Sequence, residues 1–297
     1  MNHVLKRTLT GLTVGVGVIA LFLWCPLWAV GGIVLVLSCL AQLEFYQLAK
    51  RYEPVTWLGI LAGAAWILCT GYMDANELSG SLCFFAPFAF VIAFFVLCTW
   101  VLFRPRYANP AGSIASTMLG FFYVPFLFSH FLKVIDLGAA PDAPRIGLYT
   151  LFALIATAKF SDTGGFAFGM AFGKHKMCPS ISPKKSWEGL FGSMLFSAAT
   201  ACVFLAIARH HGWGLVVNAW NLLTYPLVAA AGALVALLAT VGDLVESRFK
   251  RACGVKDSAT FMPAGMGGFL DMFDSILFIP ALLYFPLLYL NVMNVHP

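Results

Sequence analysis

The sequence predicts an all-α protein: a polytopic transmembrane helical bundle of about nine spans, with its N-terminus in the cytoplasm. Three observations carry this. Hydrophobic residues make up 61% of the 297-residue chain, and its mean hydropathy is +0.87. Apolar runs long enough to cross a bilayer recur from end to end. The cations fall almost entirely on one alternate set of connections. Such a chain buries its apolar surface as a bundle in lipid, not as a soluble globule.

Each span follows from the run that forms it. Lys6 and Arg7 precede an apolar run beginning near Thr8, which resembles the charged region of a signal peptide. The apolar stretch resumes after Cys25-Pro26 and continues to about Leu43, so an uncleaved hairpin of two short spans is expected. Glu44 to Glu53 reads as a polar connection carrying Lys50 and Arg51. A third span runs from about Val55 to Tyr72, and Asp74 and Glu77 mark an acidic turn. The fourth runs from about Ser81 to Phe103, and the fifth from about Ser113 to Ile135 with a kink at Pro125. The sixth, about Ile146 to Phe172, is interrupted by Lys159, Asp162 and Gly164-Gly165. A basic loop, Gly173 to Ser186, leads to the seventh, about Trp187 to Ala208. The eighth runs from about Leu222 past Asp243, and the ninth from about Phe269 to Leu290.

Charge sets the orientation. With the N-terminus inside, the inner segments hold Lys6, Arg7, Lys50, Arg51, Arg104, Arg106, Lys174, Lys176, Lys184, Lys185, Arg248, Lys250, Arg251 and Lys256. The outer ones hold Arg145 and Arg209, with Lys133 near an outer helix end. The basic loops therefore face the cytoplasm. Residues 1–135 form N-terminal transmembrane helices and 136–297 a C-terminal transmembrane catalytic region, packed as one membrane domain. The eight cysteines form no CxxC pair and the six histidines show no metal-ligand spacing, so neither a disulfide framework nor a zinc site is expected.

Chemistry concentrates in Val241 to Ser275. Asp243, Glu246 and Lys250 are spaced i, i+3, i+7 and share one helix face. Asp271 and Asp274 share a face in the first turn of the last span, where the helix dipole alone would also accommodate them. Carboxylates at the edges of apolar runs are costly. If these two helix ends converge, the cluster repels itself unless a cation holds it, and Mg2+ suits a few carboxylates completed by water and phosphate oxygens. The turn Gly265-Met266-Gly267-Gly268 opens into the same helix, whose exposed N–H groups at Gly267 and Gly268 favour a phosphate. There is no Walker A pattern and no dinucleotide-binding GxGxxG after a strand.

A second constellation is the basic loop, stiffened by Pro179 and Pro183 and carrying Lys174, Lys176, Lys184 and Lys185. Its bland role is to bind anionic headgroups, at about 1 kcal/mol per cation. However, Ser186 can cap the following helix, with Glu188 in its first turn, and this would aim Lys184 and Lys185 in a defined direction. Lys159 and Asp162, i and i+3 inside the sixth span, mark either a site or a structural ion pair.

These stretches together resemble the phosphatidate cytidylyltransferase family, the CDP-diacylglycerol synthases. The C-terminal family signature is matched by Gly242-Asp243, Glu246-Ser247, Lys250-Arg251, Lys256-Asp257-Ser258, Pro263, Gly267-Gly268, Asp271 and Asp274-Ser275. The loop is matched by Phe172-Gly173-Lys174 and by Ile181 to Gly189, and Asp162-Thr163-Gly164 also fits. Met266 stands where many members have His and Met272 where many have Arg, so no role of that His or Arg is carried over. The resemblance covers roughly the last 140 residues in detail, as long motifs rather than single positions.

The resemblance implies the reaction CTP + phosphatidate → CDP-diacylglycerol + pyrophosphate, with Mg2+ and room for a second cation. It implies a bacterial-type inner membrane protein whose active site lies on the cytoplasmic side. Asp243 and Asp271 would be metal ligands, supported by Asp274 and Glu246. Lys250, Lys256, Arg251, Lys184 and Lys185 would bind phosphates, with Ser182, Asp257, Gly267, Gly268 and Asp162 completing the substrate site. Membrane lipid is the expected surrounding partner and nucleic acid is not; a homodimer is left open. Two other readings stand beside this one: another CTP-using lipid enzyme such as a polyprenol kinase, and a transporter with an intramembrane charge pathway. The paired repeats of broken helices common in transporters are not seen, and the CDP-alcohol phosphotransferase pattern DxxDGxxAR is absent.

Overall fold

The computed structural model describes residues 24–75, 79–104, 107–137, 145–211, 224–255 and 268–293. The first expected span, from Thr8, lies outside them. Helix α1 (Leu27–Leu48) begins after Pro26, which holds an extended conformation. It does not stop at Leu43. Glu44, Phe45 and Tyr46 are buried within it, and Ala49–Tyr52 continues as a 3-10 turn. The expected polar loop is therefore helix, because its polar groups find partners inside the bundle. Gln42 Nε2 donates to Tyr46 Oη (3.0 Å) and to Gly59 O (2.9 Å), and Tyr46 Oη donates to Thr117 O (2.9 Å). Glu53, at φ 52°, reverses the chain, and its carboxylate accepts from Ala108 N–H at 3.1 Å.

Helices α2 (Thr56–Ala75) and α3 (Ser79–Leu102) follow. Asn109 caps α4 (Pro110–Phe121) by accepting from Gly112 N–H at 2.9 Å, with Pro110 at the first helical position. The kink expected at Pro125 is a π turn, Phe122–Phe126, before α5 (Leu127–Leu137). Proline lacks the N–H that the α ladder needs there, so the ladder widens.

The C-terminal half holds α6 (Ile146–Phe172), α7 (Trp187–His211) and α8 (Tyr225–Ala252), packed side by side. Small residues make this contact close, as membrane helices require. A Cβ at Gly164 would lie 2.6 Å from Gly192 O, and one at Gly232 would lie 2.8 Å from Ser197 O. Five described helical segments are long and apolar enough to cross a membrane: Leu27–Tyr52, Pro110–Leu137, Trp187–His211, Tyr225–Ala252 and Phe269–Tyr289. Thr56–Gly71 and Phe88–Leu102 are shorter apolar stretches. α6 is 27 residues long but carries Lys159 and Asp162 and is not among the five.

Two elements depart from the all-α expectation of continuous spans. The basic loop contains an antiparallel hairpin, β1 (Lys176–Cys178) and β2 (Ser182–Ser186), with Lys176 opposite Ser186 and Cys178 opposite Ser182. Pro179 and Pro183 disfavour helix here and leave the backbone extended. The ninth span is broken into α9 (Phe269–Phe273) and α10 (Phe278–Met293). At the break, the Asp274 carboxylate accepts from the adjacent Ser275 N–H, a local bond that competes with the helical ladder.

One buried core crosses both halves and includes Phe45, Tyr123, Phe128, Leu151, Val235 and Leu277. Cations stand over aromatic rings at both ends of the bundle. Arg104 covers Trp100, itself against Trp57, at the end where α1 meets its 3-10 turn. Arg209 covers Tyr225 and Lys133 covers Tyr284 at the other. Aromatic and basic residues at both rims are the pattern of interfacial belts.

Candidate active site

The site is built where α8 meets the break between α9 and α10. A Cβ at Gly242 would lie 2.4 Å from Asp274 O, so the absence of a side chain is what allows the approach. Asp243, the next residue, then faces the same space as Asp271 and Asp274. The carboxylates do come together, but Asp243 lies within α8, which runs on to Ala252, and not at its end.

The hairpin closes the space from another side. Ser186 caps α7 by accepting from Gly189 N–H at 3.2 Å. Both Glu188 oxygens accept from His175 N–H at 3.2 Å, and His175 Nδ1 lies 2.6 Å from Glu188 Oε1. The hairpin is thus tied to the first turn of α7 through Ser186 at the end of β2 and His175 just before β1. Lys185 reaches across to α8, 2.6 Å from Asp243 Oδ2, and donates to Thr240 O at 3.1 Å. Ser247 Oγ donates to the other Asp243 oxygen at 3.3 Å.

Together these walls line a half-open cavity of about 460 Å3, a size suited to a small-molecule site. Asp162, Ser182, Lys184, Lys185, Asp243, Asp271 and Asp274 line it, from four stretches far apart in sequence. Lys159 lines it too, but forms no ion pair with Asp162. Its ammonium donates instead to Met272 O and Ser275 Oγ, each at 3.3 Å.

Behind the cavity, Lys250 Nζ lies 2.7 Å from Asp271 Oδ1 and 3.4 Å from Glu246 Oε1. The second distance is long for a charge-assisted hydrogen bond. Glu246 is fully buried, faces Asp271 and Asp274, and its oxygens accept no hydrogen bond among the described residues. Lys250 and Glu246 are not among the cavity-lining residues, and Arg251 is exposed at the end of α8. Lys256, Asp257 and Gly267 lie outside the described residues. Gly268 donates its N–H to Asp271 Oδ2 at 2.9 Å, and Leu270 N–H goes to Glu44 Oε2 at 2.9 Å. Donors at this helix start are therefore taken by carboxylates, which weakens the case for a phosphate there.

Glu44 was not singled out from the sequence. A charge closing an apolar run was the available signal, but Gln47, Lys50 and Arg51 beyond it suggested a loop. The donor set suits a hard cation: carboxylate oxygens from two helices around one cavity, with the buried Glu246 carboxyl, 3.4 Å from Lys250, behind them. Among the described residues no group of three acidic, histidine or cysteine side chains is placed to hold a metal ion by itself. Mg2+ needs fewer, since water and substrate phosphate fill its remaining positions.

Long apolar helices around this carboxylate-and-lysine cavity define a helical integral membrane protein with a polar site among its helices. The chain belongs to the cytidylyltransferase family, which it matches over residues 5–290. The phosphatidate cytidylyltransferase of Staphylococcus epidermidis is 32% identical over 288 residues, covering 93% of this chain and 96% of that protein. That of Staphylococcus haemolyticus is 30% identical over 281 residues, with the same shares of 93% and 96%. The phosphatidate cytidylyltransferase of Mycobacterium bovis is 36% identical over 174 residues, covering 58% of this chain and 50% of that protein.

Proposed function

We propose that the chain transfers the cytidylyl group of CTP to phosphatidate, giving CDP-diacylglycerol and pyrophosphate, at the cytoplasmic face of a bacterial inner membrane. The observation that carries this is a cavity in which hairpin lysines meet Asp243 of α8 and Asp271 of α9. The phosphatidate phosphate is already anionic, so no strong base is needed. Its oxygen forms the new bond to the α-phosphorus of CTP, and the bond to the β-phosphate breaks in line. Lys184 and Lys185 stand where they can hold phosphate oxygens as charge redistributes. Asp243 and Asp271 would hold Mg2+, with Asp274 and Glu246 supporting them; when bound, the ion neutralises phosphate charge. The acyl chains remain in lipid beside the helices.

The test is purified protein with phosphatidate, CTP and Mg2+, assayed for both products. Pyrophosphate together with CDP-diacylglycerol is expected. Release of CDP with a phosphorylated lipid would indicate a kinase, and no turnover under varied lipid and salt would sink the enzyme reading.

Two further outcomes are expected. Lys185→Ala lowers kcat/KM by roughly 10²-fold, and Lys184→Ala by less, because Lys185 alone also pairs with Asp243. Unchanged kinetics in both variants, for CTP and for phosphatidate, would return the hairpin to a headgroup anchor. For sidedness, Cys178 on β1 and Cys253 after α8 are half-buried thiols at the hairpin end. With the other cysteines removed, an impermeant thiol reagent should label neither from outside intact cells. Labelling should follow lysis, and that of Cys253 should keep rising as the pH is raised past about 8.5, because burial pushes its thiol up against the opposing pull of Arg51. Labelling of either from outside would invert the topology.

A further inference from the structure

We propose that Glu44, on α1, is a positioning residue for the carboxylates of α9. The inference rests on the cytidylyl-transfer reading and concerns how its site is held in register. α9 has five residues, too few for a helix to hold itself. It nevertheless carries Asp271, and Asp274 follows it directly.

Four polar contacts fix this short element. Asp271 accepts from Gly268 N–H, but that bond lies within the element and moves with it. Lys250 reaches Asp271 from α8 through a long, flexible side chain. Two side chains grip its backbone from outside: Lys159 on α6 donates to Met272 O at 3.3 Å through a long, flexible side chain, and Glu44 Oε2 accepts from the buried Leu270 N–H at 2.9 Å, the shorter bond, across 226 residues of sequence.

The local chemistry explains why the acceptor comes from so far away. The residue before α9 is Gly268, which has no side-chain oxygen to cap the helix start. Glu44 supplies what a local serine or aspartate would otherwise supply. Both Glu44 and Leu270 are fully buried, and Glu44 Oε1 has no hydrogen-bond partner among the described residues. A buried carboxylate is costly, whereas a leucine would suit the surrounding helices. What the carboxylate provides in return is a charge-assisted bond to a helix N-terminal N–H, about twice as strong as a neutral one. The N-terminal helices thereby set the depth of Asp271 and Asp274 in the cavity.

The experiment uses the full chain in one detergent, comparing the parent with Glu44→Gln and Glu44→Leu. Amide exchange over 268–273 is read alongside kcat, KM for CTP and the Mg2+ concentration giving half-maximal activity. Glu44→Leu is expected to speed exchange at Leu270 by roughly tenfold or more. It should lower kcat by roughly 10²-fold, as a displacement of about 1 Å can. It should also raise the Mg2+ requirement, with KM for CTP changing far less. Glu44→Gln keeps an acceptor oxygen of the same reach and should retain kcat within about threefold, at the modest loss expected for a neutral acceptor. If Glu44→Leu does not fold, Glu44→Asp, one methylene shorter, replaces it with the same expectations. Unchanged exchange with unchanged kcat in the shortened or apolar variant overturns the proposal. Equal loss of kcat in Glu44→Gln with exchange unaltered also overturns it, since the charge rather than the tether would then matter. A parent protein without cytidylyl transfer would defeat the reaction reading, while the exchange result would still decide the tether.

Discussion

Asp243→Asn and Asp271→Asn are each expected to lower Mg2+-dependent formation of CDP-diacylglycerol by a factor on the order of 10³ or more, about 4 kcal/mol of transition-state stabilisation. Both carboxylates line the cavity, and each is presented by a different helix. Asparagine keeps the shape but removes the charge that would hold the cation. The two variants should differ in stability. Asp243 is partly exposed and its partner Lys185 also bonds Thr240 O, so its neutralisation leaves the fold nearly unchanged. Asp271 accepts from Gly268 N–H and pairs with Lys250, whose side chain is only 12% exposed. Its neutralisation leaves a mostly buried cation with Glu246 as its remaining ion-pair partner and should lower the melting temperature. Repulsion among the carboxylates alone would predict that both substitutions stabilise. Product formation and thermal melting of the two purified variants check these expectations together. Near-normal pyrophosphate release from either would remove that residue from the metal site.

Gly242→Ala is expected to lower kcat by roughly 10²-fold or more although it adds one methyl group and touches no substrate. The methyl carbon would lie 2.4 Å from Asp274 O, a backbone atom that cannot rotate away. The helices must therefore part, moving Asp243 relative to Asp271 and Asp274. Gly169→Ala is the matched control. Its nearest neighbour, Ser186 Oγ, lies 3.6 Å from the added carbon, an ordinary van der Waals contact. Alanine also favours the helical state over glycine there. Gly169→Ala should therefore keep full activity and at least the parent's stability. Equal activity in the two variants would mean that the α8 contact yields without disturbing the carboxylates.

Periodicity and charge made much of the architecture legible. The run Ile146–Phe172 is a helix with those same bounds, and Pro125 marks an interruption as its missing N–H requires. Asp243 and Asp271 stood out because carboxylates beside apolar runs need a reason, and they share a cavity. Ser186 caps α7 as its position before Trp187 implied. Local chemistry sufficed in each case, since helix starts, kinks and the cost of a charge in lipid depend on neighbouring residues and solvent.

Contacts between distant segments were a different matter. Lys159 and Asp162 are one helical turn apart, yet Lys159 bonds Met272 O and Ser275 Oγ instead. Glu44 read as the edge of a loop until Leu270 supplied its partner. Lys250 carries a charge that any phosphate could use, but its place between Asp271 and Glu246 depends on how α8 meets α9. By itself, the sequence determined the apolar, helical character of the chain, the clustering of its cations in a few connections and the residue types able to handle phosphate. Only the tertiary structure decided which charges pair with each other and which face the cavity. The reason is physical: a side chain's propensity and its cost in lipid are local quantities, whereas its hydrogen-bond partner is set by the packing of helices hundreds of residues apart.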